Sequence, residues 1–305
     1  MSHAFLLLAH NDAPQLYNLV KALYSPHSNI YIHVDAKSTE FMNKSKIKEL
    51  ISMEHVYFVP RIKTYWGGFS LVKATLILLR EAIKDNNNER FHLLSGVDYP
   101  IKSINKIRSF FNKNNNNYLT YIPEESNKRY FIDRYYFYDN DYISTKNLKC
   151  SIKKRIIHSI LIFIQRITWF LVQILQIPIR KKINIKYYHG SQWFSFTREA
   201  VNYILNYVEH NPWILKRFNY TACSDESFFT MILMNSDKFK NTIINDDLRL
   251  RMPDGSLNRG GYVLTEKDIE HIKKSPALFA RKFTTLSSSK LISYINESII
   301  NNESD

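Results

Sequence analysis

At 305 residues, with 45 % apolar content and a formal net charge of +14, the chain can bury a sizeable core and is not a disordered segment. Two cysteines, Cys150 and Cys223, are too few for a disulfide framework, and no CxxC or His-rich companion points to a metal site. Only seven glycines occur and neither GxGxxG nor GxxxxGK[ST] is present, so the familiar dinucleotide and P-loop signatures are absent.

The opening "MSHAFLLLAHNDAP" has no basic n-region and no cleavage site after its short apolar run, and it reads as a buried strand over Ala4 to His10, not as a signal peptide. Asp12 and Pro14 are placed to open a helix with Leu16, Leu19, Val20 and Leu23 on one face. "NIYIHVD" (29–35) and "HVYFVP" (55–60) give a second and a third strand, "FSLVKATLILLREAI" a helix, and "RFHLLSGVDYP" (90–100) a fourth strand and a turn. This βαβα order predicts an α/β fold with a mainly parallel sheet covered by helices, binding ligands beyond the strands' carboxyl ends, where His10, Asp35 and Asp98 fall.

"NKNNNN" (112–117) reads as a low-complexity surface loop. From Tyr187 onward a strand and then a helix through Leu205 are predicted, and "SDESFFTMILMNS" (224–236) reads as a capped helix. The polar stretch 287–305 is predicted to be a peripheral tail, leaving 1–286 as a single domain.

The charge is concentrated. Between Asp141 and Glu199 there is no acid and there are eleven Lys or Arg; taking those from +14 leaves +3 for the rest. That placement argues against a nucleic-acid binder, whose cations would sit beside exposed aromatics on a folded platform. Within the gap, 153–182 has basic clusters at both ends of an apolar run, with Arg166 in its middle and polar residues including Ser159 and Arg180 on one side at helical spacing. A central arginine disfavours a spanning helix. The pattern fits an amphipathic insert lying in a membrane surface, with a core helix or a partner-binding helix as alternatives.

Six short motifs follow in order: "IHVDAKS" (32–38), "WGGFSLV" (66–72), "HLLSGVDYPIKS" (92–103), "GSQWFSFTREAVNYIL" (190–205), "DESFFTMIL" (225–233) and "LFARKF" (278–283). With them the chain, from about residue 3 to about 285 and apart from the basic insert, resembles the core-2/I-branching enzyme family of glycosyltransferases, which includes β-1,6-N-acetylglucosaminyltransferases and protein xylosyltransferases. The resemblance implies a GT-A-like, Rossmann-type mixed sheet and transfer of a sugar from a nucleotide donor with inversion.

It also implies roles. Where a metal-binding Asp-x-Asp is usual, this chain reads Ser95, Gly96, Val97, Asp98, with a single acid. Arg281 and Lys282 match the basic side chains that replace the metal at the diphosphate, and Arg259, 23 residues before Lys282, matches a further arginine. No metal or other cofactor is therefore expected. The literal Asp-x-Asp, Asp139 to Asp141, reads as a solvated loop.

Glu226 matches the family's catalytic glutamate, a general base for the acceptor hydroxyl. Asp225 beside it is expected to be structural. Asp35, Thr64 and Trp66 match donor-site positions, with Gly67 and Gly68 permitting close backbone approach; Asp98, Gln192 and Trp193 are candidate acceptor or sugar contacts.

The expected partners are a UDP-sugar, with UDP-N-acetylglucosamine leading and UDP-xylose or UDP-galactose as rivals, and a glycan acceptor that a membrane-surface enzyme would meet on a lipid carrier. A cytoplasmic bacterial protein, peripheral at the inner membrane, fits the few cysteines and the basic insert. A catalytically silent carbohydrate-binding relative is the rival outside enzymes.

Overall fold

The computed structural model describes residues 2–122, 130–137, 139, 152–175, 180, 183, 185–253 and 261–301. Strands β1 (Ser2–Ala9), β2 (Ser28–Val34), β3 (Val56–Phe58) and β4 (Asn88–Ser95) form the parallel half of a seven-stranded sheet. The near-continuous runs of β1, β2 and β4 are buried on both faces, as a helix-covered parallel sheet requires. β5 (Asp98–Pro100) leaves this sheet; β6 (Asn117–Ile122), β7 (His189–Thr197) and β8 (Ile243–Asn245) complete it in the order β3-β2-β1-β4-β7-β6-β8, with β7 antiparallel to both neighbours. β9 (Arg249–Arg251) and β10 (Phe279–Arg281) join β5 in a second, three-stranded sheet, β5-β10-β9.

Helices α1 (Ala13–Leu23), α2 (Ser45–Ile51), α3 (Ser70–Ala82), α4 (Ile104–Asn112), α5 (Tyr130–Asp133), α6 (Ile152–Leu175), α7 (Arg198–His210), α8 (Pro212–Phe218), α9 (Phe228–Met234), α10 (Ile269–Lys274) and α11 (Thr285–Ile295) surround the sheets. α1 starts where Asp12 accepts from the Gln15 N–H, and it buries Leu16, Leu19, Val20 and Leu23. α3, α7 and α9 close one core over the large sheet; α1, α2, α11 and the small sheet close the other. The expected α/β mixed sheet flanked by helices, GT-A-like in layout, is what the chain forms.

Three local expectations need correction. The stretch 287–305 is not a polar tail over its whole length: α11 buries Leu291, Ile292 and Ile295 against the second core. Its apolar residues recur three and four apart between serines, enough for one helical face. The asparagine-rich stretch is not a mere surface loop, since the carbonyls of Asn114 and Asn116 receive the guanidinium of buried Arg90, and Asn117 opens β6. Arg180, placed on the polar side of the amphipathic insert, is instead buried, donating to the carbonyls of Ile132, Arg134 and Arg217.

Four of the described histidines are buried, His3, His33, His92 and His189, and burial shifts three of them. Burial pushes His3 down to about 3 and His33 to about 4, and holds His92 far below its ordinary value. His92 shares one ring nitrogen with Ser195 Oγ (2.9 Å) and the other with His3 Nδ1 (3.0 Å), while His33 Nε2 accepts from the Ile62 N–H (3.1 Å). The unfolded chain binds protons at these sites below about pH 6.5 that the folded chain refuses, so the stability present above that pH is lost as pH falls. The melting temperature should therefore drop between about pH 7 and about pH 5, and less steeply in His3→Asn, whose amide can stand in for Nδ1.

Candidate active site

The carboxyl ends of β1, β2 and β4 and the ends of β9 and β10 open into one cleft of about 1000 Å³. His10, Asp35, Thr64, Trp66, Trp193, Glu226, Arg251, Arg281 and Lys282 all lie on its walls, so motifs spread over more than two hundred residues converge there. Parallel-strand ends provide such a crevice because the chain must leave the sheet at that edge, freeing loops to carry side chains.

One wall is cationic, and its cations are braced by carboxylates. β10 pairs with β5 so that Arg281 stands opposite Asp98, and Arg281 Nε lies 3.4 Å from Asp98 Oδ1. Asp98 is fully buried and also accepts from the Ser95 N–H (3.0 Å). The other side of the Arg281 guanidinium lies 4.1 Å from the centroid of the Trp193 ring. Burial lowers the Arg281 pKa and Asp98 opposes that shift; the group stays charged.

In the next strand, Arg251 stands in register with Arg281, donates to Ser191 Oγ (3.0 Å) and is paired with buried Asp247. Burial works against ionisation of Asp247, yet Arg249 and Arg251 hold its carboxyl below the ordinary value. Lys282 follows directly, its aliphatic end close over Gly261: a Cβ there would sit 3.3 Å from Lys282 Nζ, and the φ of +77° independently favours glycine.

Elsewhere on the cleft wall, Asp35 is buried and accepts from Thr64 Oγ1 (2.8 Å), the Lys37 N–H (2.9 Å) and the Thr64 N–H (3.3 Å), with Lys37 Nζ at 3.6 Å. Trp66 is exposed by 56 %, an aromatic face turned to open cleft space.

Glu226 ends a single 3-10 turn, Ser224–Glu226, that precedes α9. It is thus not within the helix, as the capped-helix reading had it, but one step before its Ser227 N-cap. Cys223, with φ of +46°, begins that turn, and its N–H donates to the Gly67 carbonyl (2.9 Å), tying the glutamate's loop to the Trp66 loop. Buried His189, the first residue of β7, places Nε2 3.2 Å from Glu226 Oε2. Asp225 is buried; burial and then the charge of Glu226 raise its pKa to about 7.

The structure thus brings Asp35, Thr64, Trp66, Gln192, Trp193, Glu226, Arg281 and Lys282 to one cleft. Asp98 does not line it: its carboxylate is committed to Ser95 and Arg281, so it braces a cation and makes no acceptor contact. Arg259 lies outside the described residues. Asp139 is neither metal ligand nor solvated loop; it accepts from the Ser70 N–H (3.0 Å) and Ser70 Oγ (2.6 Å) at the start of α3, while Asn140 and Asp141 lie outside the described residues. The same carboxylate explains Gly68, where a Cβ would sit 2.0 Å from Asp139 Oδ1. Among the described residues no three His, Cys, Asp or Glu side chains converge as ligands of a metal would.

Sequence reasoning missed Arg251 and His189. The first had a signal, two arginines two apart behind two aspartates in "NDDLRLR", which puts both on one side of a strand. The second had none, because only the pairing of β7 beside the Glu226 turn creates the contact.

The family model "Core-2/I-Branching enzyme" matches residues 3–273. The chain belongs to the Core-2/I-branching enzyme family. It is 27 % identical to xylosyltransferase 2 of Homo sapiens over 252 residues, 81 % of this chain and 26 % of that protein. To the xylosyltransferase of Ciona intestinalis it is 24 % identical over 251 residues, with the same coverage. To beta-glucuronosyltransferase GlcAT14A of Arabidopsis thaliana it is 24 % identical over 289 residues, 89 % of this chain and 58 % of that protein. This Core-2/I-branching chain therefore spans about a quarter of the xylosyltransferases and somewhat over half of the plant protein.

Asp225 yields a test of the site's electrostatics. Its folded pKa of about 7 lies above that of an unfolded aspartate, so the fold holds a proton that the unfolded chain releases. The contribution of Asp225 alone should fall as pH rises from about 4 through about 7, opposing that of the buried histidines, so Asp225→Asn should steepen the acid-side loss of melting temperature across the window.

Proposed function

We propose that this Core-2/I-branching chain is an inverting, metal-independent glycosyltransferase that moves a sugar from a UDP-sugar to a hydroxyl of a glycan. The observation that carries the reading is the cleft in which one solvent-reaching carboxylate, Glu226, shares the walls with Arg251, Arg281 and Lys282. In the step it supports, the acceptor oxygen attacks the anomeric carbon while its proton passes to Glu226. The bond from that carbon to the diphosphate breaks on the opposite side, and the electron pair leaves with UDP. The cations stabilise the charge that develops there, work that a divalent ion does in other designs. Arg259, by its place before Lys282, would add to them.

On the same reading Asp35 and Thr64 receive the nucleoside, and Trp66, Gln192 and Trp193 border the sugars. N-acetylglucosamine is the leading donor sugar. A second reading, UDP-xylose or UDP-glucuronate, is favoured by the names of the relatives, and UDP-galactose belongs in the same comparison. The acceptor is proposed to be a lipid-linked precursor of a bacterial surface polysaccharide, met by a cytoplasmic enzyme at the inner face of the membrane.

Release of UDP from a panel of these UDP-sugars in EDTA, with wild type and Glu226→Gln, tests the reaction class. Wild type should release UDP from one donor, alone or with a glycan acceptor, and Glu226→Gln should be slower by about a hundredfold or more. Turnover only with added divalent metal would overturn the metal-independent part. Equal rates in both proteins would overturn the role of Glu226. No turnover of any donor, with carbohydrate binding retained, would favour the silent-binder alternative.

A further inference from the structure

Among the described residues, α6 carries a long run of exposed apolar side chains. Ile156, Ile160, Phe163, Ile167, Phe170 and Ile174 recur three and four residues apart, forming one stripe along the helix, and each is between 42 % and 64 % exposed. The opposite side of the helix, with Ile157, Leu161, Ile162 and Trp169, is half-buried. Trp169 fixes that side: its ring packs edge-on against Tyr136 (5.0 Å), and Arg134 lies over it (5.4 Å). The stripe therefore faces away from the protein by construction. No helix among the described residues is long and apolar enough to cross a membrane, and α6 carries exposed Lys153 and Arg166 at the edges of the stripe.

We infer that α6 is a docking surface for an anionic lipid bilayer, lying in the plane of the headgroups with its apolar stripe sunk among the acyl chains. Charge selects this occupant. α6 itself has four cations, Lys153, Lys154, Arg155 and Arg166, and no acid, so a second copy of α6 would set like charges against like. An anionic lipid surface complements them, and in-plane helices of this composition bind by apolar burial together with attraction to such lipids.

The inner side of α6, opposite the stripe, is linked through packed rings to Glu226. Tyr136, which holds Trp169, packs on Phe131 (6.2 Å between ring centroids); Phe131 packs on His189 (5.7 Å), and His189 touches Glu226. A bilayer under α6 would thus present a lipid-linked acceptor to the general base. This second statement rests on the proposed transferase reading; the docking does not.

Flotation with vesicles of phosphatidylcholine alone and of phosphatidylcholine mixed with phosphatidylglycerol separates the two, because it needs no substrate. Wild type should float with the mixed vesicles, less so in high salt, and only weakly with the neutral ones. A variant with Phe163→Gln, Ile167→Gln, Phe170→Gln and Ile174→Gln, all exposed positions, should lose about a hundredfold or more in partitioning while keeping its melting temperature. Lys153→Glu with Arg166→Glu should lose the preference for the anionic lipid. The inference is overturned if wild type ignores mixed vesicles or if the four-glutamine variant floats as well as wild type. It is equally overturned if wild type is a dimer that does not float and the variant is a monomer, which would make a second copy the occupant. Donor hydrolysis without vesicles should be the same in the four-glutamine variant as in wild type, and its loss there would count against the docking role of the stripe.

Discussion

The ion pair between Asp98 and Arg281 holds the site's architecture together. A mostly buried guanidinium on a cleft wall needs a partner within the protein, and a fully buried carboxylate must have a cation. Each meets the other's requirement because β10 pairs with β5 in the register that sets them opposite. Such a pair adds little net stability over an apolar alternative, but loss of either member leaves an uncompensated buried charge. That makes it a device for placing a cation, and the small sheet exists in the form needed to hold it. Asp247 with Arg251 repeats the arrangement one strand away, and Asp35 with Lys37 repeats it more loosely across the cleft.

The cations are therefore held in advance of the ligand. A preorganised charge costs no reorientation when the leaving group develops its own, which is why fixed side chains can serve in place of a bound ion. Glu226 is managed differently. It sits on a tight turn tied to the Trp66 loop, reaches solvent, and touches a buried imidazole, while neighbouring Asp225 is enclosed and readily kept protonated. Two adjacent carboxyls thus have opposite environments, and of the two Glu226 lines the cleft.

Much of this was legible in the chain itself. Continuous apolar strands, a capped first helix and the βαβα order give the parallel half-sheet, and six ordered motifs point to the residues now seen around one cleft. What stayed hidden depended on contacts distant in sequence. Asp98 reads as a site acid in "SGVDYP", and only the β5–β10 pairing turns it into a brace. Asp139 and Gly68 look like a metal motif and a ligand-facing glycine, and they prove to be two halves of one packing contact. Arg180 reads as one more surface cation until its carbonyl partners come together from α5, the segment after it, and α8. Polar and charged residues are ambiguous in sequence because burial with a partner and exposure to solvent use the same letters.

The central claim, that strand-end cations alone hold the donor's diphosphate, is tested most directly by calorimetric titration of UDP and of uridine in EDTA, with wild type and Lys282→Met. Charge-assisted hydrogen bonds contribute about 1.5–3 kcal/mol each, so UDP should bind wild type about a hundredfold or more tighter than uridine, with much of that advantage lost in the variant. Equal affinities for UDP and uridine in EDTA, with a preference for UDP appearing only on addition of a divalent ion, would contradict the account.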